Sequence, residues 1–259
     1  RGGVGGELMR GALLALALLV AACGLPPSGP APDPGDPGPG DPGPIDPGPG
    51  RPTALFLVDA PGSLNPSEQR VKARLEANGF GVELVDDDGF AASRTAGCRL
   101  IVMSKTVTST NVGNKLKGAR CGVIFWEDNQ QKLDMLATIA NDGSGGTGWH
   151  ATGNDVHVRA EAPADLRAGL AGRVDFYSRN DEITYAPGDD LAAAGIVIAE
   201  FEDPGGPPML YVFERNATLA DGSRAAGRRL YFGLYDDTFQ HLTADGLRLF
   251  DAAVAWAAN

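Results

Sequence analysis

The sequence predicts an α/β domain built on a parallel β-sheet, and three observations point there. Short, wholly apolar runs recur, each closing on Asp, Ser or Glu. A helix with clear start and stop signals follows the first of them, and the chain ends on a second helix with an apolar stripe. Alternating strand and helix of this kind implies βαβ units with right-handed crossovers.

The strands come in order. Ala54–Asp59 (ALFLVD) is continuous and apolar, as a parallel strand buried on both faces should be. Asn65 then caps a helix with Pro66 in its first turn, Glu68 closes a capping box, Val71 and Leu75 share a face, and Gly79 stands past the end. Gly81–Asp86, Arg99–Ser104 and Gly122–Glu127 read as the second to fourth strands, with helices predicted over 111–119 and about 130–139. A Gly-rich loop spans 141–153, followed by short strands near Val156, Val174, Ile183, Ile196 and Tyr211 that form hairpins or extend the sheet. Arg229–Tyr235 is a last core strand, and Thr243 caps a terminal helix striped by Leu247, Phe250 and Val254.

Residues 24–52 hold 12 Pro and 8 Gly in 29 residues, which is too little apolar surface to offset the entropy of ordering. The period-five repeat Asp36-Pro-Gly-Pro-Gly is a solvated spacer with a reach of at most about 90 Å. The folded domain is therefore 53–259, with 19 Lys and Arg against 28 Asp and Glu, a net charge of −9. That balance, without a basic block, argues against nucleic acid.

Ahead of the spacer, residues 1–22 read as an export signal behind an upstream extension. Met9-Arg10 supplies the charged start, and the uncharged run 11–22 is 12 residues, short of the roughly 20 that span a bilayer. Val20-Ala-Ala-Cys23 resembles the lipobox of bacterial lipoproteins. That resemblance implies lipid on Cys23, anchoring 23–52 and the domain behind it to the cell membrane or outer membrane.

Leu55 to Ile139, the segment Ala162-Pro-Ala-Asp-Leu-Arg-Ala-Gly-Leu170 and the ending Leu242–Trp256 resemble flavodoxin-like domains of exported bacterial proteins. These are related to class I glutamine amidotransferases and trehalose-utilisation (ThuA-like) proteins. The resemblance implies a doubly wound parallel sheet with short strands added in the C-terminal half, and carbohydrate-related roles in some relatives. It does not bring their catalytic cysteine. Cys98 and Cys121 open strands instead of closing them, and no Gly-x-Cys-x-Gly or Gly-x-Ser-x-Gly occurs.

In an open α/β sheet ligands bind beyond the carboxyl ends of the strands, which places Asp59, Ser104 and Glu127 around one crevice with Trp126 as a flat apolar surface. Each also has a plainer reading, as a loop cap or core residue. Cys98 and Cys121 precede neighbouring strands, so they either form a disulfide, contributing roughly 3 kcal/mol, or remain two buried thiols. Trp149-His150 and His157 fit no zinc spacing, Asp86–Asp88 reads as a solvated turn with at most weak calcium attraction, and His241 packs locally. Neither metal nor cofactor is expected. The expected function is a membrane-anchored, non-catalytic binding or scaffolding module at the cell envelope, with carbohydrate as favoured ligand. The alternatives are a carbohydrate hydrolase using Glu127 and Asp59, or a structural protein with envelope protein partners.

Overall fold

The computed structural model describes residues 50–141 and 149–259. The leader, Cys23, all of the spacer ahead of Gly50 and the centre of the Gly-rich loop lie outside them. The described residues belong to one compact unit, Pro42–Asn259, and both hydrophobic layers they form are drawn from within 53–259.

In chain order the elements are β1 (Thr53–Val58), α1 (Pro66–Ala77), β2 (Gly81–Asp86), β3 (Leu100–Met103), α2 (Ser109–Val112) and β4 (Gly122–Phe125). There follow β5 (His150–Gly153), β6 (Asp155–Val158), β7 (Gly172–Asp175), β8 (Asp181–Thr184), β9 (Ile196–Phe201), β10 (Pro208–Phe213), β11 (Arg229–Phe232) and α3 (Ala244–Ala257). Nine strands form one sheet in the order β2-β1-β3-β4-β11-β10-β9-β6-β7, and β5 pairs with β8 as a separate ribbon. The first five are parallel and the last four antiparallel, so the short C-terminal strands extend the sheet. The order reverses between β1 and β3, which opens the ligand crevice of doubly wound sheets at their carboxyl ends.

Alternation of side chains along β1 builds both cores. Ala54, Phe56 and Val58 join α1 and α3 on one face, while Leu55 and Leu57 join Ile101, Phe125 and Tyr231 on the other. The expected caps are present. Asn65 Oδ1 accepts from the Glu68 amide at 2.8 Å while Glu68 Oε2 accepts from the Asn65 amide at 3.0 Å, and Thr243 Oγ1 caps α3 through Gly246. At the amino end of the sheet Cys98 and Cys121 are joined as a disulfide, with Cα atoms 6.2 Å apart.

The two helices expected over 111–119 and 130–139 do not form. The first stops at Val112 because Gly113 turns to φ +54° and Gly118 weakens the helical tendency of the next turn. In the second, tertiary partners hold the segment in place: Gln130 Nε2 donates to Gly113 O at 2.6 Å, Gln131 Oε1 accepts from the Tyr211 hydroxyl at 2.7 Å, and the Thr138 hydroxyl occupies Gln131 O at 3.3 Å. A short 3-10 turn over Asp128–Gln131 is all that remains, and Ala137 sits at φ +55°.

The unwound segment ahead of β4 is held by a cation. Arg229 is 1 % exposed and donates to the carbonyls of Leu116 (3.3 Å), Lys117 (3.0 Å) and Ala119 (2.8 Å). Burial lowers its pKa to about 10, yet it remains charged at neutral pH. A lysine has neither the planar fork nor the reach to serve these carbonyls together. Arg229→Lys is therefore expected to lower stability by at least about 2 kcal/mol, through carbonyls left unpaired. Urea unfolding of the variant beside the parent chain measures this, and an unchanged midpoint would refute it.

Candidate functional site

The carboxyl ends of β1, β3, β4 and β11 meet at the sheet's reversal point, and the residues following each strand build the crevice floor. Lys105, directly after β3 and Ser104, places its ammonium 2.9 Å from Glu127 Oε2 and 2.7 Å from Asp128 Oδ1. Both acids follow β4. Asn129 donates to the second Glu127 oxygen from its amide (3.2 Å) and its side chain (2.9 Å), so Glu127 has both oxygens engaged. Burial opposes the charge on Lys105, but the two carboxylates outweigh it and hold its pKa above the ordinary lysine value. Burial pushes the Glu127 carboxyl up, Lys105 pulls it back, and Asp128 adds to the push.

The wall is made by elements distant in sequence. The Lys105 ammonium lies 5.6 Å from the centre of the Tyr235 ring, which follows β11. His150, at the start of β5, packs its ring 5.3 Å from the same tyrosine and places Nδ1 3.0 Å from Glu182 Oε1 on β8. The β5–β8 ribbon reaches this point because Gly233 lets it approach: a Cβ there would lie 2.2 Å from Thr184 O. On the far side Glu68, whose capping role fixes it at the start of α1, accepts from the Thr106 hydroxyl at 2.6 Å. Asn65 donates to Asp236 O at 3.4 Å and joins the rim to that helix. Partial desolvation and the charges of Asp237, Glu182 and Glu68 raise the Asp236 carboxyl against the pull of Lys105.

The expected residues fall differently within this arrangement. Asp59 is exposed on the rim, its amide 3.4 Å from Thr106 Oγ1. Ser104 is 1 % exposed, Trp126 2 % and Glu127 3 %, so these three lie beneath the surface. Trp126 packs in the core against Phe56, at 6.4 Å between ring centres, instead of offering a flat face. The groups that reach the surface are Asp59, His150, Glu182, Tyr235 and Asp236. Of these, Tyr235 and Glu182 were not visible in the sequence, and neither was the lysine that ties Glu127 down. The signal for it was a lysine two residues past a wholly apolar strand, in a chain with only five.

The strand ends follow ordinary backbone geometry. Among the described residues no non-glycine residue with positive φ stands at the carboxyl end of β1, β3, β4 or β11, so the strained turn that presents a nucleophile is absent there. Glu127 itself is extended at φ −72°. His150 and His157 belong to different sheets, and the one group of three clustered metal-ligand side chains among the described residues is Asp86–Asp88. His241 does not pack only against its sequence neighbours: its Nδ1 lies 2.6 Å from Asp181 Oδ2 at the start of β8.

No protein-family model and no curated protein matches this chain. Its fold is nevertheless that of known structures. A ThuA-like protein from Bacteroides uniformis superposes with a TM-score of 0.52 at 12% identity, covering 80% of this chain and 91% of the other. A GMP synthase subunit-like protein from Thermoplasma acidophilum superposes with a TM-score of 0.51 at 13% identity, covering 80% of this chain and 94% of that one. The domain thus has the flavodoxin-like α/β fold shared by amidotransferase-like and ThuA-like proteins, with extra antiparallel strands.

The ion triad carries a pH-dependent prediction. Lys105→Met leaves Glu127 and Asp128 buried without a countercharge, and is expected to cost about 3–5 kcal/mol at neutral pH. A carboxyl whose folded pKa is raised gains stability on acidification, so the deficit narrows as the medium is acidified. In the parent chain the lysine's contribution is whole below its ordinary value of 10.5 and is lost as pH rises through the higher folded value. Urea unfolding across acid, neutral and alkaline pH measures both limbs. A variant as stable as its parent at neutral pH would contradict the assignment.

Proposed function

We propose that this chain is an exported, lipid-anchored module whose domain binds a ligand at the carboxyl-end crevice without transforming it, and that the ligand is a carbohydrate. The observation that carries the reading is the state of Glu127. With Lys105 on one oxygen, Asn129 on the other and 3 % exposure, it is committed to the protein and unavailable as acid or base. Above it stands a half-buried aromatic ring, Tyr235, flanked by His150, Glu182 and Asp236. A ring with carboxylates beside it offers an apolar face for a sugar's C–H surface and acceptors for its hydroxyls. The leader ending in Val20-Ala-Ala-Cys23 supports the anchor, and among the described residues no helix is long and apolar enough to cross a membrane.

The hydrolase reading with Glu127 and Asp59 retains one favourable observation, the raised Glu127 carboxyl, since a general acid needs such a shift. A scaffold for protein partners is favoured less, because the only large hydrophobic side chain exposed among the described residues is Ile196, at 38 %.

A glycan array and polysaccharide pull-down with the 53–259 domain tests the reading, beside Tyr235→Ala and Asp236→Asn. The expected result is binding that Tyr235→Ala weakens tenfold or more, on the order of 1–2 kcal/mol of lost stacking, with no reducing sugar released. An absence of glycan binding at high protein concentration would refute the ligand class. Turnover abolished by Glu127→Gln would replace the binding reading with the hydrolase.

A further inference from the structure

The opposite end of the sheet carries a second polar concavity. Beside the Cys98–Cys121 disulfide lies a cleft of about 400 Å³ lined by Arg99, Arg120, Arg215, Arg228, Glu214 and Asn259. Four arginines stand there against one glutamate, so the cleft is positive. This is a local inversion in a domain whose net charge is −9.

Two of the four are committed. Arg228 donates to Glu214 at 3.0 Å and to Trp256 O at 2.6 Å, and lies 4.7 Å above the Trp256 ring; Arg215 donates to Arg120 O at 3.2 Å. The side chains of Arg99 and Arg120 are exposed and make no hydrogen bond or ion pair with any described residue. Their backbone positions are fixed, because each is the chain neighbour of one half of the disulfide, Arg99 after Cys98 and Arg120 before Cys121. The cleft is thus a pair of uncommitted guanidinium groups on a covalently clamped frame. Planar forks of this kind suit the oxygens of a phosphate, which they bind bidentately.

Its position adds a source for that ligand. The Arg99 amide donates to Thr53 O at 2.9 Å, and the Gly81 amide to Pro52 O at 3.0 Å. The chain therefore comes into the domain from the spacer at the edge where the cleft opens, so the cleft lies on the tethered end of the domain, and the sugar-binding crevice at the other.

We propose that the arginine cleft binds a phosphate-bearing anion, supplied by the headgroups of the membrane to which the chain is tethered. The membrane source rests on the lipid anchor of the preceding reading; the phosphate chemistry does not. Bound headgroups would hold the amino-terminal edge of the sheet against the bilayer and turn the carboxyl-end crevice outward.

The test uses the 53–259 domain, which lacks Cys23 and so reports on the cleft without acylation. Co-sedimentation is measured with vesicles of phosphatidylglycerol and phosphatidylcholine and with phosphatidylcholine alone, and inorganic phosphate is titrated separately by calorimetry. Arg99→Ala with Arg120→Ala is compared with Lys115→Ala with Lys132→Ala, which removes the same charge elsewhere. The expected result is salt-sensitive binding to the anionic vesicles, weakened at least about tenfold by the arginine pair and little by the lysine pair. Phosphate binding lost in the arginine pair, without vesicle binding, would retain the cleft and assign it a soluble phosphate. Failure of both probes to bind, or equal losses in the two double variants, would overturn the proposal. Palmitate labelling of the full chain and its Cys23→Ser variant tests the anchor separately, so an unlabelled chain whose domain still binds vesicles would remove the tether and leave the cleft.

Discussion

The crevice depends on one arrangement of buried charge. Glu127 and Asp128 follow β4 in a position that water scarcely reaches, and two carboxylates there are sustainable only with a cation and hydrogen-bond donors at hand. Lys105 supplies the cation from the neighbouring strand, and Asn129 supplies donors. Meeting that requirement fixes the ends of β3 and β4 relative to each other. The same lysine lies over Tyr235, which positions the end of β11, and Tyr235 receives His150 and Glu182 through the β5–β8 ribbon. Four segments distant in sequence are ordered by one desolvation problem.

The same solution divides the crevice into two layers. Glu127 accepts from Lys105 on one oxygen and from Asn129 on the other, so its carboxylate is held in place as part of the floor. Polar groups remain available one layer higher, where Tyr235, Asp236, Glu182 and Asp59 are in contact with solvent. The fold thus separates a locked ionic floor from an open aromatic and acidic rim. At the other end of the sheet the division recurs with the opposite charge, a covalent clamp below and two uncommitted arginines above.

Much of the architecture could be read before any coordinates, and the reasons are local. Asn65, Pro66, Glu68 and Gly79 satisfy helix ends within a few residues of themselves, and the strands are legible because a parallel strand covered on both faces must be apolar throughout. The helices expected over 111–119 and 130–139 failed where long-range partners decided the outcome. Arg229, more than a hundred residues away, holds the carbonyls of Leu116, Lys117 and Ala119, and Tyr211 on β10 holds Gln131. The crevice was legible in location and not in content. Strand ends pointed to Asp59, Ser104 and Glu127, but pairing with Lys105 follows from β3 lying beside β4, and the arrival of His150 and Glu182 follows from a ribbon whose docking needs Gly233. Trp126 illustrates the ambiguity of an aromatic at a strand end, since it continues the alternation of β4 and joins Ile124 in the core.

A double-mutant cycle on the triad tests the account most directly. Stabilities of the parent, Lys105→Met, Glu127→Gln and the double variant give the coupling between the two side chains. A pair that organises the crevice floor should couple by at least about 1 kcal/mol, so that the double variant is more stable than the sum of the single losses allows. Losses additive to within about 0.5 kcal/mol would mean that Lys105 and Glu127 act independently, and the ionic floor would not be the element that orders the site.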